Sequence, residues 1–226
     1  MTPTLAQLID VSPLAEAQPR TKDALRAALQ GAPAAVHRHP AGRLLLLEGD
    51  PCDEVHLVAE GLLRVRHLTP EGREHVVSYL GPGRLLNVVP ALDDGAVLGT
   101  VDALTDATTY AIPCALFREW IAQDAGLAAA VARYLAGELR RIDTMLADMA
   151  LHTVRARLAR FLLVHAESNP AHHRWTQATI AANIGTVRDV VGRLLREMRQ
   201  DGIIRRERGR LVIVDREALE REAEAE

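Results

Sequence analysis

Arg188, Asp189 and Arg193 lie at i, i+1 and i+5 in the run Gly185-Thr186-Val187-Arg188-Asp189-Val190-Val191-Gly192-Arg193, and together they carry the donors and acceptors that base edges require. An arginine entering a major groove can donate two parallel hydrogen bonds to guanine O6 and N7, and a short carboxylate can accept from cytosine N4. If the run is helical, all three side chains project from its first turns toward one groove floor. Thr186 and Val187 open that helix, and Arg196 extends its cationic face.

Elements able to hold these residues are legible on either side. Ile180, Ala181 and Ile184 recur at helical spacing, and Gly185 breaks the pattern. Val187, Val190, Val191, Leu194, Leu195 and Met198 then mark one buried stripe of a second helix, opposite a stripe of Arg188, Asp189, Gly192, Arg193, Arg196 and Arg199. Asp201-Gly202 ends this helix, Ile203-Ile204 begins a strand, Arg208-Gly209-Arg210 turns, and Leu211 to Val214 returns as the second strand of a wing. Between residues 188 and 210 there are eight arginines against four acids, so Arg208 and Arg210 are expected to meet phosphates. A solvated, salt-bridged helix face is the competing reading of any arginine-rich helix. The turn, the wing and the apolar stripe together decide against it.

This segment resembles the winged helix-turn-helix of the cyclic-AMP receptor protein and fumarate-nitrate reductase regulator (CRP/FNR) family. The resemblance implies guanine contacts for Arg188 and Arg193. Asp189 stands where the family usually has a glutamate approaching a cytosine, one methylene longer. Gln177 matches a position that often meets a phosphate.

The 226 residues exceed one typical domain, and 48% hydrophobic content can build cores. The formal net charge of −3 argues against a nucleic-acid partner until its distribution is considered. Residues 153–226 carry 14 Arg and 11 acids, several of the acids in a tail after Ala218, whereas residues 1–152 carry 13 Lys plus Arg and 19 acids. No apolar run is long enough to span a membrane, and the N-terminal MTPTLAQLIDVSPLAEAQPR lacks a secretory pattern, so a cytoplasmic bacterial protein is expected. Cys52 and Cys114 belong to no CxxC pair or N-terminal cluster, which gives no support to an iron-sulfur centre. Ordinary thiols of a reducing cytosol are the simpler reading, and a thiol sensor is the alternative.

Residues 36–112 read as short strands separated by turn signals, among them Glu48-Gly49-Asp50-Pro51, Glu60-Gly61, Thr69-Pro70-Glu71-Gly72 and Gly81-Pro82-Gly83. The spacing predicts an antiparallel β-roll or jelly roll. GRLLLLEGD, VHLVAEGLLRVRHLTPEGREHVVSYLGPG and TYAIPCALFREWI, in that order, resemble the cyclic-nucleotide-binding-type sensory domain of the same regulators. Nucleotide-binding members carry Phe-x-Gly-Glu and a later Arg-Ser to hold the cyclic phosphate. Here the corresponding segments are Leu85-Leu86-Asn87-Val88 and Leu98-Gly99-Thr100, and no arginine lies between Arg84 and Arg118. A phosphate there would be buried without its counter-charge, so a signal other than cyclic AMP is expected. Leu85, Leu86, Asn87, Val88, Val89 and Leu98 instead suggest an apolar pocket, with Leu92 beside it. It reads equally as a packed core or as a site for a haem or small apolar effector.

His37-Arg38-His39 matches the start of a metal-dependent cupin motif, because imidazoles at i and i+2 on a strand share a face. The rest of that motif is missing, so neither a metal site nor a catalytic residue is expected, and a cupin-type enzyme is the minor alternative. No histidine spacing selects a haem ligand.

GLAAAVARYLAGELRRIDTMLADMALH has no proline and a helix-forming composition, with Val131, Leu135, Ile142, Met145 and Met149 on an approximate heptad seam. Family members dimerise through this helix, which implies a homodimer on a palindromic operator. The expected fold is α+β, divided into a sensory β-roll with flanking helices (residues 1–125), a dimerisation helix ending in a hinge at Leu151-His152-Thr153 (126–152), and a winged helix-turn-helix (153–226). The expected function is sequence-specific transcription regulation, with RNA polymerase as partner if the protein is an activator. A constitutively active regulator whose β-roll is only a scaffold is the second reading.

Overall fold

The computed structural model describes residues 5–23, 36–165, 176–207 and 210–225. Contacts divide the chain into two units, Met1–His67 with Val76–Leu139, and Leu68–His75 with Arg140–Glu226. The division falls inside a long helix rather than at its ends.

Among the described residues, eight strands make two antiparallel four-stranded sheets, all in the first unit except the β4–β5 turn and the strand ends beside it. One has the order β1 (Val36–His39), β8 (Ala107–Pro113), β3 (Glu54–Glu60), β6 (Leu85–Leu86); the other has β2 (Leu44–Leu46), β7 (Thr100–Ala103), β4 (Leu63–Leu68), β5 (Glu74–Leu80). β3 is buried on both faces. Val55, Leu57 and Ala59 pack against helices, in a core with Leu8 and Ile9 of α1 (Leu5–Val11) and Phe117 and Trp120 of a later helix, Cys114–Gln123. Val58 points to the other side, where it meets Leu63, Leu80, Leu86, Val101 and Ala103. Period-two alternation thus assigns one strand to two cores. Truncating a fully buried aromatic such as Phe117 would cost about 3–5 kcal/mol. The turn at Gly61 demands glycine twice over: its φ is +79°, and a Cβ would stand 2.2 Å from the Asp106 carbonyl oxygen.

The helices after β6 are α2 (Val88–Asp93), α3 (Cys114–Gln123) and α4 (Ala125–Leu151). Asp124 joins α3 to α4 and is almost fully buried. Its carboxylate accepts hydrogen bonds from the Gln18 amide (2.6 Å), the Thr21 hydroxyl (2.7 Å) and the Leu127 amide (3.0 Å), which dock the N-terminal segment on the start of α4. Burial alone would raise its pKa, but these bonds outweigh it and hold the group charged.

The second unit contains α5 (Val154–His165), α6 (Gln177–Ile184), α7 (Arg188–Gln200), the hairpin β9 (Ile204–Glu207) and β10 (Arg210–Ile213), and α8 (Arg216–Glu224). The expected acidic tail after Ala218 is in fact part of α8. Asp215 caps it by accepting from the Ala218 amide (2.8 Å), and Leu219 and Ala223 are buried in the unit's core. Apolar residues four apart amid charges make this helix amphipathic, with Glu217, Glu220 and Glu224 exposed and Glu222 turned partly inward.

His56 lies inside the first unit on the Val58 face of β3. Its Nδ1 is 3.3 Å from the Thr109 hydroxyl, which also contacts His39 Nε2 at 3.0 Å, while His37 lies edge-on with ring centroids 5.9 Å apart and Glu54 is 4.0 Å away. Burial first, then the neighbouring His37 and His39, pushes the His56 pKa down to about 4. Native His56 therefore stays neutral where the unfolded chain, near 6.5, already takes a proton, so stability present at neutral pH is lost as pH falls through that interval. Urea unfolding is expected to report a loss on the order of 3 kcal/mol across it. His56→Gln should flatten the slope, and parallel slopes in the two proteins would assign the titration to another group.

Candidate nucleic-acid interface

The candidate interface is set by two helix ends and the turn between them. Thr176 caps α6 by accepting from the Thr179 amide (3.1 Å), which fixes where the helix begins. Gly185 ends it in the left-handed region at φ +66°, and the Thr186 amide donates back to the Ala181 carbonyl (2.9 Å). A Cβ on Gly185 would come within 2.8 Å of Met149 Cε, the movable end of a flexible side chain, so it is the left-handed backbone that requires glycine. Val187 is the extended residue before α7 and supplies no side-chain cap. The first amides of α7 consequently have no side-chain acceptor at that position, and they carry the positive end of the helix dipole.

α7 separates its residues sharply. Val191, Leu194, Leu195 and Met198 are buried with Leu158, Phe161, Ile180, Ile184, Ile203 and Leu219. Val187, Arg188, Asp189, Arg193, Arg196 and Arg199 are exposed, and Thr186 is half-buried. Arg193 Nε lies 3.9 Å from Glu197, an i,i+4 pairing open enough to release the guanidinium. Gly192 departs from expectation: it is buried at the α6–α7 crossing, where a Cβ would meet the Gln177 amide oxygen at 3.2 Å. Its small size lets the helices approach, and half-buried Gln177 is the group it accommodates.

In the wing Arg205 pairs with Glu207 (2.6 Å), and Arg206 is exposed opposite Leu211. Arg206 joins the cations that sequence reading singled out. Arg208 lies outside the described residues. Arg210 pairs with Glu207 in the β9–β10 register.

Three arginines of α5 bear no resemblance to readers. Arg155 donates to both Glu222 oxygens (2.6 and 2.8 Å) and to Asp201 (2.8 Å), and these carboxylates raise its pKa still further. Arg157 donates to the carbonyls of Ile184 (3.0 Å), Met149 (3.0 Å) and His152 (2.9 Å), and Arg160 bonds Ala223 and Asp148. The signal that could have found them is the general need of helix C-termini for donors.

Upstream, the residues expected to form one apolar pocket are divided among three environments. β6 directs Leu85 into the helix-side core, with Val88, and Leu86 into the core between the sheets. Asn87 adopts φ +66° and donates to the Glu54 carbonyl (3.2 Å), while Val89 and Leu98 are exposed by 39% and 58%. Arg84 pairs with Glu138 and stands 5.1 Å over the Tyr134 ring, and Tyr134 donates to the Leu85 carbonyl (2.8 Å). Those contacts fasten β6 to α4.

The heptad seam also shifts. Val131 is buried in its own chain's core, Leu135 packs partly on that core, and Met145 is half-buried. Leu139, Ile142, Leu146 and Met149, spaced three, four and three, are the exposed stripe of α4. Their exposure, 67, 42, 63 and 38%, leaves an unpartnered apolar face.

Residues 36–124 match a cyclic nucleotide-binding domain family, and residues 156–222 match a Crp-like helix-turn-helix domain family. A transcriptional regulator of Thermus thermophilus, LdrP, is 31% identical over 187 residues, covering 79% of this chain and 92% of its own. A Mycobacterium tuberculosis protein named as a CRP-like cAMP-activated global transcriptional regulator is 28% identical over 192 residues, covering 81% and 86%. The crystal structure of a CRP-family transcriptional regulator from Thermus thermophilus superposes with a TM-score of 0.67 at 29% identity, covering 83% of this chain and 96% of that one.

The two kinds of arginine are separable by experiment. Arg155→Met is expected to lower the unfolding free energy of the second unit by about 1–3 kcal/mol, because Glu222 and Asp201 lose charge-assisted bonds. Arg193→Ala should leave stability within about 0.5 kcal/mol. It should cost about 1–3 kcal/mol of DNA binding per half-site and relax selectivity at one G·C pair. Equal loss on specific and random duplexes would remove Arg193 from base readout.

Proposed function

The chain belongs to the CRP/FNR family of transcription regulators and carries its helix-turn-helix DNA-binding domain, and from that premise we propose a homodimer that places one α7 per subunit in successive major grooves of a palindromic operator. The observation that carries this reading is the exposed cluster of Arg188, Asp189 and Arg193, held on the first two turns of α7 by a fully buried opposite stripe. In this reading the wing arginines, Arg206 with Arg208 and Arg210, contact the adjoining phosphates, and RNA polymerase is the partner where the bound protein activates. Base contacts specify the site and wing contacts position it. Work of this kind takes place in the bacterial cytoplasm and involves no catalytic step.

Pairing follows from α4. The stripe Leu139, Ile142, Leu146 and Met149 meets its own copy, and a twofold dimer matches a twofold operator. Selection from a randomised duplex pool should enrich twofold-symmetric sites with half-sites about one helical turn apart. Enrichment of single, asymmetric sites would overturn the arrangement. Ile142→Glu should convert the dimer to monomers in sedimentation by burying like charges at the seam, and an intact dimer would place the interface elsewhere.

The controlling signal is not cyclic AMP, although the Mycobacterium relative is named for it. No arginine lies between Arg84 and Arg118 to hold a cyclic phosphate, and Arg84 itself is engaged by Glu138 and Tyr134. Cyclic AMP at millimolar concentration is expected to leave both melting temperature and operator affinity unchanged, since any binding to the native state raises stability. A saturable thermal shift would refute this.

A further inference from the structure

Cys52 and Cys114, far apart in sequence, bring their Sγ atoms to 3.6 Å. The backbone makes this approach firm. Glu54 of β3 is paired with Pro113 of β8, and one step beyond that pair the Cys114 amide donates to the Asp53 carbonyl at 2.9 Å. The two chains therefore continue side by side past the strand ends, and the cysteines occupy adjacent diagonal positions. Both are free thiols, Cys52 half-buried and Cys114 buried at the start of α3. A disulfide needs the sulfurs roughly 1.5 Å closer, a distance within reach of small side-chain rotations when the backbones are already neighbours.

We propose that Cys52 and Cys114 form a reversible thiol–disulfide couple, oxidised by hydroperoxides, that ties the entry of β3 to the entry of α3. The order of events follows from the surroundings. Burial, and then its hydrogen bond to Cys52, pushes the Cys114 thiol up to about 12, so it remains protonated and does not meet oxidant first. Cys52 attacks the terminal peroxide oxygen; an S–O bond forms, the O–O bond breaks, and an alcohol leaves with the thiol proton. Cys114 sulfur then attacks the Cys52 sulfenic sulfur; the S–S bond forms, the S–O bond breaks, and the departing hydroxide takes the Cys114 proton as water. Two thiols are oxidised, and one hydroperoxide is reduced to alcohol and water.

The bond ties down the first residue of α3, whose other end leads through Asp124 into α4. Its action as a signal rests on the regulator reading above. Its chemistry does not.

The test uses the full chain treated with tert-butyl hydroperoxide. Peptide mapping without reductant should recover a Cys52–Cys114 linked peptide from a single chain, and dithiothreitol should restore both free thiols. Cys114→Ser should instead accumulate a sulfenic acid at Cys52 that dimedone traps, and Cys52→Ser should leave Cys114 an unmodified thiol. Both serine variants, checked for unchanged melting temperature, exclude misfolding as the cause. Links between chains, or equal oxidation of the two single variants, would overturn the couple. On a duplex enriched by the reduced protein, oxidation should shift affinity at least about fivefold in the parent and not in Cys52→Ser. Unchanged affinity with the link present would refute the signalling role alone, whereas failure of the reduced protein to enrich any duplex would count against the regulator reading and leave the linked peptide standing.

Discussion

One guanidinium closes three carbonyls. Arg157 takes the Ile184 oxygen at the end of α6 and the Met149 and His152 oxygens at the end of α4, groups that no intrahelical amide can reach. Left unpaired, the part-buried Ile184 and His152 oxygens would each cost about 1–3 kcal/mol. The bond to Ile184 lies one residue before the Gly185 turn, so the donor that finishes α4 also fixes where α6 ends and the turn begins. The junction at His152-Thr153 is thereby bridged, and Thr153 caps α5 by accepting from the Ala156 amide at 3.2 Å. A change at this junction has to break or exchange specific bonds, which favours two discrete arrangements over continuous bending.

The same residue type performs opposed tasks within a few turns of chain. Arg155, Arg157 and Arg160 bind carboxylates and carbonyls and hold α5 to α7, α8 and α4. Arg188, Arg193 and Arg196 stand exposed on the face of α7 opposite its apolar stripe. Composition alone cannot distinguish them, because each contributes one positive charge to the same excess. Burial does. An arginine facing helix ends or acids is compensated within the chain, whereas those on the outer turns of α7 keep their charge at the surface. Weak pairs such as Arg193 with Glu197 cost little to open, so they do not remove that charge.

Much of this was legible in the sequence wherever the signal was local and periodic. The Ile180–Ile184 spacing, the glycine at 185 and the Val191–Met198 stripe specify two helices and a turn, because helical periodicity and a left-handed residue each have one structural meaning. The β-roll was legible from its turns for the same reason. What escaped depends on contacts distant along the chain. Leu85 and Leu86 look like one apolar wall, yet consecutive strand residues face opposite sides and here enter two cores. Val131 fits a heptad as well as Leu139 does, and only the sensory core decides which one is covered. The last helix was hidden by its charge, since Leu219 and Ala223 are a short stripe among acids. Cys52 and Cys114 meet through the β3–β8 register, which spacing cannot reveal.

The seam helix answers to two sets of partners along its length. Its first turns are committed to the sensory core by Leu127 and Val131, and its middle is held to β6 by Tyr134 and Glu138. Only from Leu139 onward is an apolar face left open. A signal that moves β6 or α3 therefore reaches the first turns of α4 through these contacts, and need not create a cavity among Leu85, Leu86 and Val88. Such a signal works only if it bonds the two arrangements of α4 unequally, because equal interaction with both shifts no population. A covalent tie at the α3 entry satisfies that condition without any ligand site, since a bond compatible with one placement of α3 disfavours every placement that separates its two ends.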